Sequence, residues 1–292
     1  MYQVFFFFLS LFVIGFIGNI VLLVLLFNTF FFQPHGKKPI YLIVIHLTLA
    51  NILTITLTGI PEIIYFFGIR NIMGDISCKI VIYFHRVCRG LSLCCTSFMS
   101  LFQAVKIAPS NSRWAWLKPR ISSFIFPAFT LFWIANLLIY FRVILSVGAP
   151  YNTTNLEQVY NLKYCMGADP DKLQRMGIQL GMAIRDFLCM FLMIWTSMYM
   201  VKLLFMHQKT VQHVHSASLS PRPSHETKAT HTIVALVSCF VFLNCTSCCL
   251  NIYLSQVHHI QGLENITSYV SSFYPAMYAC LMIRNKVRGA RW

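Results

Sequence analysis

The chain has 292 residues, of which 57% are hydrophobic and 11% are charged, and its formal net charge is +15. A mean hydropathy of +0.65 excludes an ordinary soluble globular domain, because the core of such a domain needs far fewer apolar residues. The positive charge does not indicate nucleic-acid binding, since the basic residues lie between long apolar runs. We expect these residues to orient the chain in a membrane.

Seven apolar segments, each long enough to cross a bilayer as a helix, follow one another along the chain. They predict an all-α membrane protein, a single seven-transmembrane helix bundle over residues 1–292. The predicted spans are residues 2–27, 40–67, 78–107, 119–142, 176–204, 232–254 and 266–283. Polar loops are predicted from Ser146 to Arg175 and from His207 to His231.

The basic residues favour one orientation of this bundle. Most Lys and Arg fall in the loops on one side, and we expect that side to be cytoplasmic. The N-terminus then lies outside, the C-terminus is cytoplasmic, and the glycosylation sequon at Asn152 faces the exterior. These features predict a multi-pass glycoprotein of the plasma membrane, surrounded by lipid.

The eleven cysteines lie mostly inside apolar segments, where they are expected to be small packing residues. Cys78 and Cys165 are different, because both fall on the exterior side at a helix end or in a loop. The sequence therefore predicts a disulfide between them. The CxxCC run at residues 245–249 has no spaced Cys or His partners in a polar setting, so no metal site and no cofactor are predicted.

The third predicted span carries Arg86 and Arg89 at a depth where charges are costly, and residues three apart share a helix face. Counted along their helices, Glu62 of the second span and Asp186 of the fifth lie at matching depths. We expect these four residues to form a charged layer in the outer half of the bundle, with Glu62 and Asp186 as candidate partners of the arginines and Asp186 within reach of Arg89. Two interpretations stay open: the layer only holds the helices together, or it is the floor of a ligand pocket.

Several short words of sequence follow one another in order along the chain. They are HLTLAN at residues 46–51, HRVCRGLS at 85–92, SLFQAVKIAPSNSRWAWLK at 100–118, RDFLCMF at 185–191 and SPRPSHETKATHTI at 220–233. These words resemble those of the vomeronasal type 1 receptor family of G-protein-coupled receptors. The resemblance covers nearly the whole chain.

The resemblance implies a chemosensory receptor that binds a small pheromone-like ligand from outside and activates a heterotrimeric G protein of the inhibitory type. Gln103, Lys106 and Arg113, at the inner end of the third span, would then face the G protein. Most rhodopsin-like receptors have an acid-Arg-Tyr triplet where this chain has Phe-Gln-Ala at residues 102–104, and an acid where it has Asn51. An arginine-based ionic lock and an acid-centred sodium site are therefore not expected.

Two other functions remain open. A type 2 bitter taste receptor has the same bundle and lacks the same triplet, although the words at residues 85–92 and 100–118 argue against it. A small membrane transporter belongs to a different class, and the chain shows no convincing internal repeat of the kind that many transporters have. An enzyme is not predicted, because no phosphate-binding glycine loop, nucleophile elbow or zinc-protease motif is present.

Overall fold

Helices make up most of the chain. The computed structural model describes residues 2–32, 39–69, 73–112, 114–142, 144, 147–148, 158–162, 165–168, 172–214, 234–235, 237–239, 241–243, 245–246 and 263–287. Six helices are α1 (Tyr2–Phe32), α2 (Pro39–Phe66), α3 (Asp75–Ile107), α4 (Ile125–Tyr140), α5 (Lys172–Val214) and α7 (Leu263–Val287). The described residues between 234 and 246 are also helical, and we name this segment α6.

Four of the described helices are long and apolar enough to cross a bilayer, and α4 is a shorter apolar helix. These four are the helical stretches Phe5–Phe32, Pro39–Phe66, Asp75–Ile107 and Leu180–Leu203. The most apolar part of α3 is 83% buried within the protein, against 22% for that of α1. Because lipid can cover the apolar surface of α1, whereas α3 is enclosed by protein, α3 is the central helix.

The other helices pack around α3. It contacts α2, α4 and α5, while α1 packs against α2 and α7. Small and polar residues let α1 approach α7 closely: a Cβ built on Gly18 would lie 3.1 Å from the Cβ of Ala279. The buried side chain of Asn19 donates hydrogen bonds to the carbonyl oxygens of Gly15, at 2.7 Å, and Pro275, at 3.0 Å. This contact fixes α1 beside the proline of α7.

A small sheet forms where the sequence predicts only a polar loop. Its strands are β1 (Val147–Gly148), β2 (Gln158–Leu162) and β3 (Cys165–Ala168), antiparallel in the order β1-β3-β2. The strands are short, and the β2–β3 register shifts between Gln158 and Tyr160. The sequence therefore shows no alternation of apolar and polar residues that would predict them. The predicted all-α bundle is therefore accompanied by a small β-sheet that the prediction did not include.

The predicted disulfide is present and attaches the sheet to the bundle. Cys165 of β3 is bonded to Cys78, which lies in the first turn of α3. Both cysteines are fully buried. We call this end of the bundle the disulfide end.

Two helices have bounds that differ clearly from the prediction. α4 begins at Ile125 and not at residue 119, because residues 114–124 form successive turns whose hydrogen bonds mostly join residues three apart. α5 continues past residue 204 to Val214, since no Gly or Pro interrupts the chain before Pro221. The sequon at Asn152 and much of the predicted sixth span lie outside the described residues.

Candidate functional site

Arg185 of α5 is the centre of a charged cluster between α3, α4 and α5. Its Nε and Nη2 donate to Oδ1 of Asp186 at 2.9 and 2.6 Å, and its Nη1 donates to Oδ1 of Asn136 at 2.7 Å. Its guanidinium carbon lies 5.4 Å from the centre of the Tyr140 ring. The side chains of Arg185 and Asp186 are only 12% and 26% exposed, so these hydrogen bonds form in a largely water-free environment that strengthens them.

Gly90 of α3 makes room for this cluster. A Cβ built at this position would collide with Oδ1 of Asn136 and with Nη1 of Arg185. The guanidinium and the amide therefore lie directly against the backbone of α3. A residue with a side chain at position 90 must displace one of them.

Asn136 of α4 connects the charged pair to a sulfur-rich region one turn along α3. Its Nδ2 donates to the carbonyl oxygen of Phe132 at 2.8 Å and lies 3.7 Å from Sγ of Cys94. The Sγ of Cys94 is in turn 3.9 Å from the Sγ of Cys189 on α5. One fully buried amide thus joins the ion pair, α4 and α3.

The predicted pairing of Asp186 with Arg89 is wrong, because Asp186 pairs with its chain neighbour Arg185. Matching depths do not fix the direction that a residue faces. Arg89 is half-buried and lies two turns from Thr96 on the same face of α3. The hydroxyl of Thr96 is 2.9 Å from that of Tyr274 on α7, so α7 lies along this face of α3.

Arg86 and Glu62 lie in the same half of the bundle. Arg86 is half-buried and shares a face of α3 with Ser100, whose hydroxyl is 2.6 Å from that of Thr196 on α5. Glu62 is buried on α2, three turns beyond Asn51, which bonds to α3. The four predicted residues therefore all lie in the disulfide-end half of the bundle, and Arg185 and Asn136 are the members that the prediction missed. Each is a polar residue in an apolar helix, and that signal was available in the sequence.

A second polar group lies at mid-bundle and links α2, α3 and α4. The ring of His46 has Nδ1 at 3.1 Å from Sγ of Cys95, and its Nε2 accepts a hydrogen bond from Nε1 of Trp133 at 2.9 Å. The same ring stacks on Phe129, with 4.3 Å between the ring centres. The polar contacts therefore continue from the charged cluster towards the opposite end of the bundle.

Comparison with known proteins decides the family. Residues 2–289 match the family described as the vomeronasal organ pheromone receptor family. The chain belongs to the vomeronasal type-1 receptor family. It is thus a member of a receptor family of the G-protein-coupled class and not of an enzyme family.

Individual relatives agree over most of their lengths. The chain is 34% identical to gorilla vomeronasal type-1 receptor 1 over 276 residues, which is 94% of this chain and 78% of the relative. It is 33% identical to human vomeronasal type-1 receptor 4 over 270 residues, or 92% of this chain and 89% of the relative. It is 31% identical to rat vomeronasal type-1 receptor 90 over 291 residues, or 98% and 91%. The resemblance that the sequence words indicated is confirmed.

The end of the receptor opposite the disulfide carries the residues predicted to face a G protein. Gln103 is 8% exposed, so most of its side chain is held within the bundle. The Nζ of Lys106 donates to the carbonyl oxygen of Lys118 at 3.4 Å and lies 5.5 Å from the centre of the Phe102 ring. Lys106 therefore ties α3 to the turns before α4, and Arg113 lies outside the described residues.

A shallow apolar groove of the receptor lies between α3, α5 and the turns before α4. Its lining includes Trp114, Trp195 and Tyr199. It lies more than two turns of α3 away from Gly90. The groove does not include the charged cluster.

Proposed function

We propose that the receptor is chemosensory, binds a small pheromone-like molecule from the extracellular side and activates a heterotrimeric G protein of the inhibitory type. Membership of the vomeronasal type-1 receptor family supports this function. The observation that carries the proposal is the cluster of Arg185, Asp186 and Asn136, because ionised groups within membrane helices are costly and usually serve a function.

We infer that the receptor crosses the plasma membrane seven times, with the N-terminus outside and the C-terminus in the cytoplasm. The Cys78–Cys165 disulfide supports this orientation, because such bonds form on the oxidising side of a membrane. The distribution of Lys and Arg among the loops supports it independently. With this orientation, the disulfide end is extracellular.

The ligand site in this proposal is the extracellular half of the bundle around α3. Asp186, Arg86, Arg89 and Glu62 supply its polar groups, and apolar walls supply most of the affinity. Oδ1 of Asp186 takes both hydrogen bonds from Arg185, whereas no described residue bonds to its Oδ2. Oδ2 is therefore the oxygen that a ligand's hydrogen-bond donor would reach.

Activation in this proposal is a shift between two packings of α3 and α5. A ligand bound to Asp186 changes the hydrogen bond by which Arg185 contacts Asn136 of α4. Farther along the bundle, the hydrogen bond between Ser100 and Thr196 joins α3 to α5. A ligand that binds one of the two packings more tightly raises the population of that packing. The packing that opens the cytoplasmic end around Gln103, Lys106 and Arg113 would admit the G protein.

Calcium imaging of transfected cells with a panel of vomeronasal odorants tests this function. We expect at least one compound to give a response that vector-only cells lack.

Asp186→Asn should weaken the potency of that compound about tenfold or more at equal surface expression, which corresponds to about 1.4 kcal/mol. The matched control is Phe187→Leu, because Phe187 is the next residue and its side chain is 66% exposed on the outer face of α5. Unchanged potency in Asp186→Asn would contradict the assigned ligand site.

A further inference from the structure

The apolar groove between α3, α5 and the turns before α4 is not used by the proposed ligand site. Ala104 and Val105 of α3 are buried and form its base, and the ring of Trp195 borders it on α5. The ring of Trp114, on the turns before α4, lies 6.4 Å from that of Tyr199 and also borders the groove. Aromatic rings therefore surround a base of small aliphatic side chains.

The surface of the groove suits a hydrocarbon chain. The hydroxyl of Thr196, which also lines the groove, donates to the carbonyl oxygen of Leu192 at 2.8 Å and lies 2.6 Å from the hydroxyl of Ser100. This hydroxyl is therefore already paired, whereas an apolar chain gains dispersion contacts with the rings. Trp195 is 55% exposed on a helix that is long and apolar enough to cross a bilayer, so the groove opens towards lipid.

A lysine lies on the same face of α5 as the aromatic residues of the groove. Trp195, Tyr199 and Lys202 follow one another at spacings of four and three residues, which places them on one helix face. Lys202 is exposed and lies at the end of the apolar stretch Leu180–Leu203. It is about 10 Å along the helix axis from Trp195, within the roughly 15 Å depth of hydrocarbon in one leaflet. An acyl chain against Trp195 would therefore have its phosphate near Lys202.

Basic residues without nearby acids mark this level of the bundle. Ser100 and Thr196 are hydrogen-bonded to each other, and Lys106 and Lys202 each follow by six residues, so both lysines lie about 9 Å farther along their helices. The chain has no Asp or Glu from residue 76 to residue 156. The complementary partner is thus an anionic group from outside the chain. Anionic phospholipids are concentrated in the cytoplasmic leaflet, which this end faces in the proposed orientation.

We propose that the groove and Lys202 form a binding site for an anionic phospholipid of the cytoplasmic leaflet. One acyl chain lies in the groove against Trp195, and the ammonium group of Lys202 binds the phosphate. The inference rests on the orientation in the proposed function, but not on the ligand site at the disulfide end. Because the lipid contacts α3, α5 and the turns before α4 together, it stabilises their packing at the end that would admit the G protein.

Tryptophan fluorescence tests this site, because bromine atoms on lipid chains quench nearby indole rings. The full-length receptor is reconstituted in phosphatidylcholine vesicles that contain a small fraction of brominated phosphatidylserine or, as the reference, of brominated phosphatidylcholine. We expect phosphatidylserine to quench the wild-type receptor at a several-fold lower fraction. Lys202→Gln should lower this preference about fivefold, which is the contribution of one lysine near an anionic membrane surface.

Arg284→Gln is the matched control for the charge. Arg284 is also exposed at this end of the bundle, but it lies on α7, which packs against α1 and α2. This variant should keep the wild-type preference. Equal losses in Lys202→Gln and Arg284→Gln would mean that only the overall positive charge attracts the lipid, and would overturn the proposal.

Thermal unfolding tests the groove itself. Phosphatidylserine should raise the unfolding midpoint of the wild-type receptor and of Met198→Ala, whose side chain is 69% exposed on α5 and does not line the groove. It should raise that of Trp195→Ala less, and an equal rise in that variant would contradict the placement of the chain. Both measurements use no odorant and no G protein, and the vesicles have the same composition in both leaflets. Failure here is therefore distinguishable from failure of the proposed function.

Discussion

Arg185 shows how the hydrogen bonds of one buried charge can come from its immediate surroundings. The neighbouring carboxylate takes two of its donors, and the amide of Asn136 takes a third. Such charge-assisted hydrogen bonds offset the cost of removing the ions from water only when most donors and acceptors are paired. The absence of a side chain at Gly90 is what allows the guanidinium to reach this position.

Gly90→Ala should therefore destabilise the receptor. Alanine favours a helix over glycine by up to about 1 kcal/mol, but overpacking a tight contact typically costs about 1 to 3 kcal/mol, and the second effect should dominate. The midpoint of thermal unfolding in detergent measures the result. Gly181→Ala is the control, because a Cβ there meets nothing within 4 Å, and it should be neutral or slightly stabilising. Equal midpoints for the two variants would argue against the close contact at Gly90.

A double-mutant cycle distinguishes the two candidate partners of Asp186. Alanine substitutions of Arg185 and Asp186 should show a coupling energy of about 0.5 to 3 kcal/mol, because the two side chains are in direct contact. The cycle between Arg89 and Asp186 should give a coupling within about 0.5 kcal/mol of zero. Unfolding in mixed micelles provides the free energies. A larger coupling for Arg89 would restore the pairing that helix depth alone predicts.

Contacts between helices determine how the bundle is arranged. α3 is enclosed by α2, α4 and α5, and polar hydrogen bonds cross from it to α2, α5 and α7. α1 and α7, which are far apart in the chain, meet through small residues and through the bond from Asn19 to the carbonyl of Pro275. Close approach of this kind strengthens dispersion contacts, which lipid cannot replace equally well.

Cysteine cross-linking tests the contact between α1 and α7. The Cβ positions at Gly18 and Ala279 are 3.1 Å apart, near the separation of about 3.8 Å that disulfides have. The variant Gly18→Cys/Ala279→Cys should therefore form a bond under mild oxidation. A protease site inserted after Ser220 makes the bond visible, since the two fragments stay joined on a non-reducing gel. Gly18→Cys alone is the control for pairing with the native Cys280, and separation of the double variant's fragments would contradict the packing.

The sequence predicted most of the helices because long apolar runs in a membrane protein have few alternatives to a helix. It also predicted the Cys78–Cys165 bond, since only these two cysteines fall on the exterior side. It did not predict the small sheet, whose strands are too short to show a period. It paired Asp186 incorrectly because residue counts give depth along a helix axis, whereas the direction faced depends on how the helices pack around α3.

Glycosylation tests the orientation of the whole molecule. Asn152 should carry glycan if its loop is extracellular, so removal by glycosidase should lower the apparent mass of the wild-type protein and not that of Asn152→Gln. A sequon introduced between residues 215 and 233 should remain unmodified, because that segment is expected to be cytoplasmic. Modification of the introduced site would reverse the proposed orientation.

Ligand-dependent nucleotide exchange tests the central claim most directly. The purified receptor is reconstituted in lipid vesicles with a heterotrimeric G protein of the inhibitory type, and GTP binding is followed with and without a compound that is active in cells. We predict that the compound accelerates exchange and that Asp186→Asn loses this acceleration at low compound concentration. Accumulation of the compound inside the vesicles, with no change in the exchange rate, would contradict a receptor and indicate a transporter.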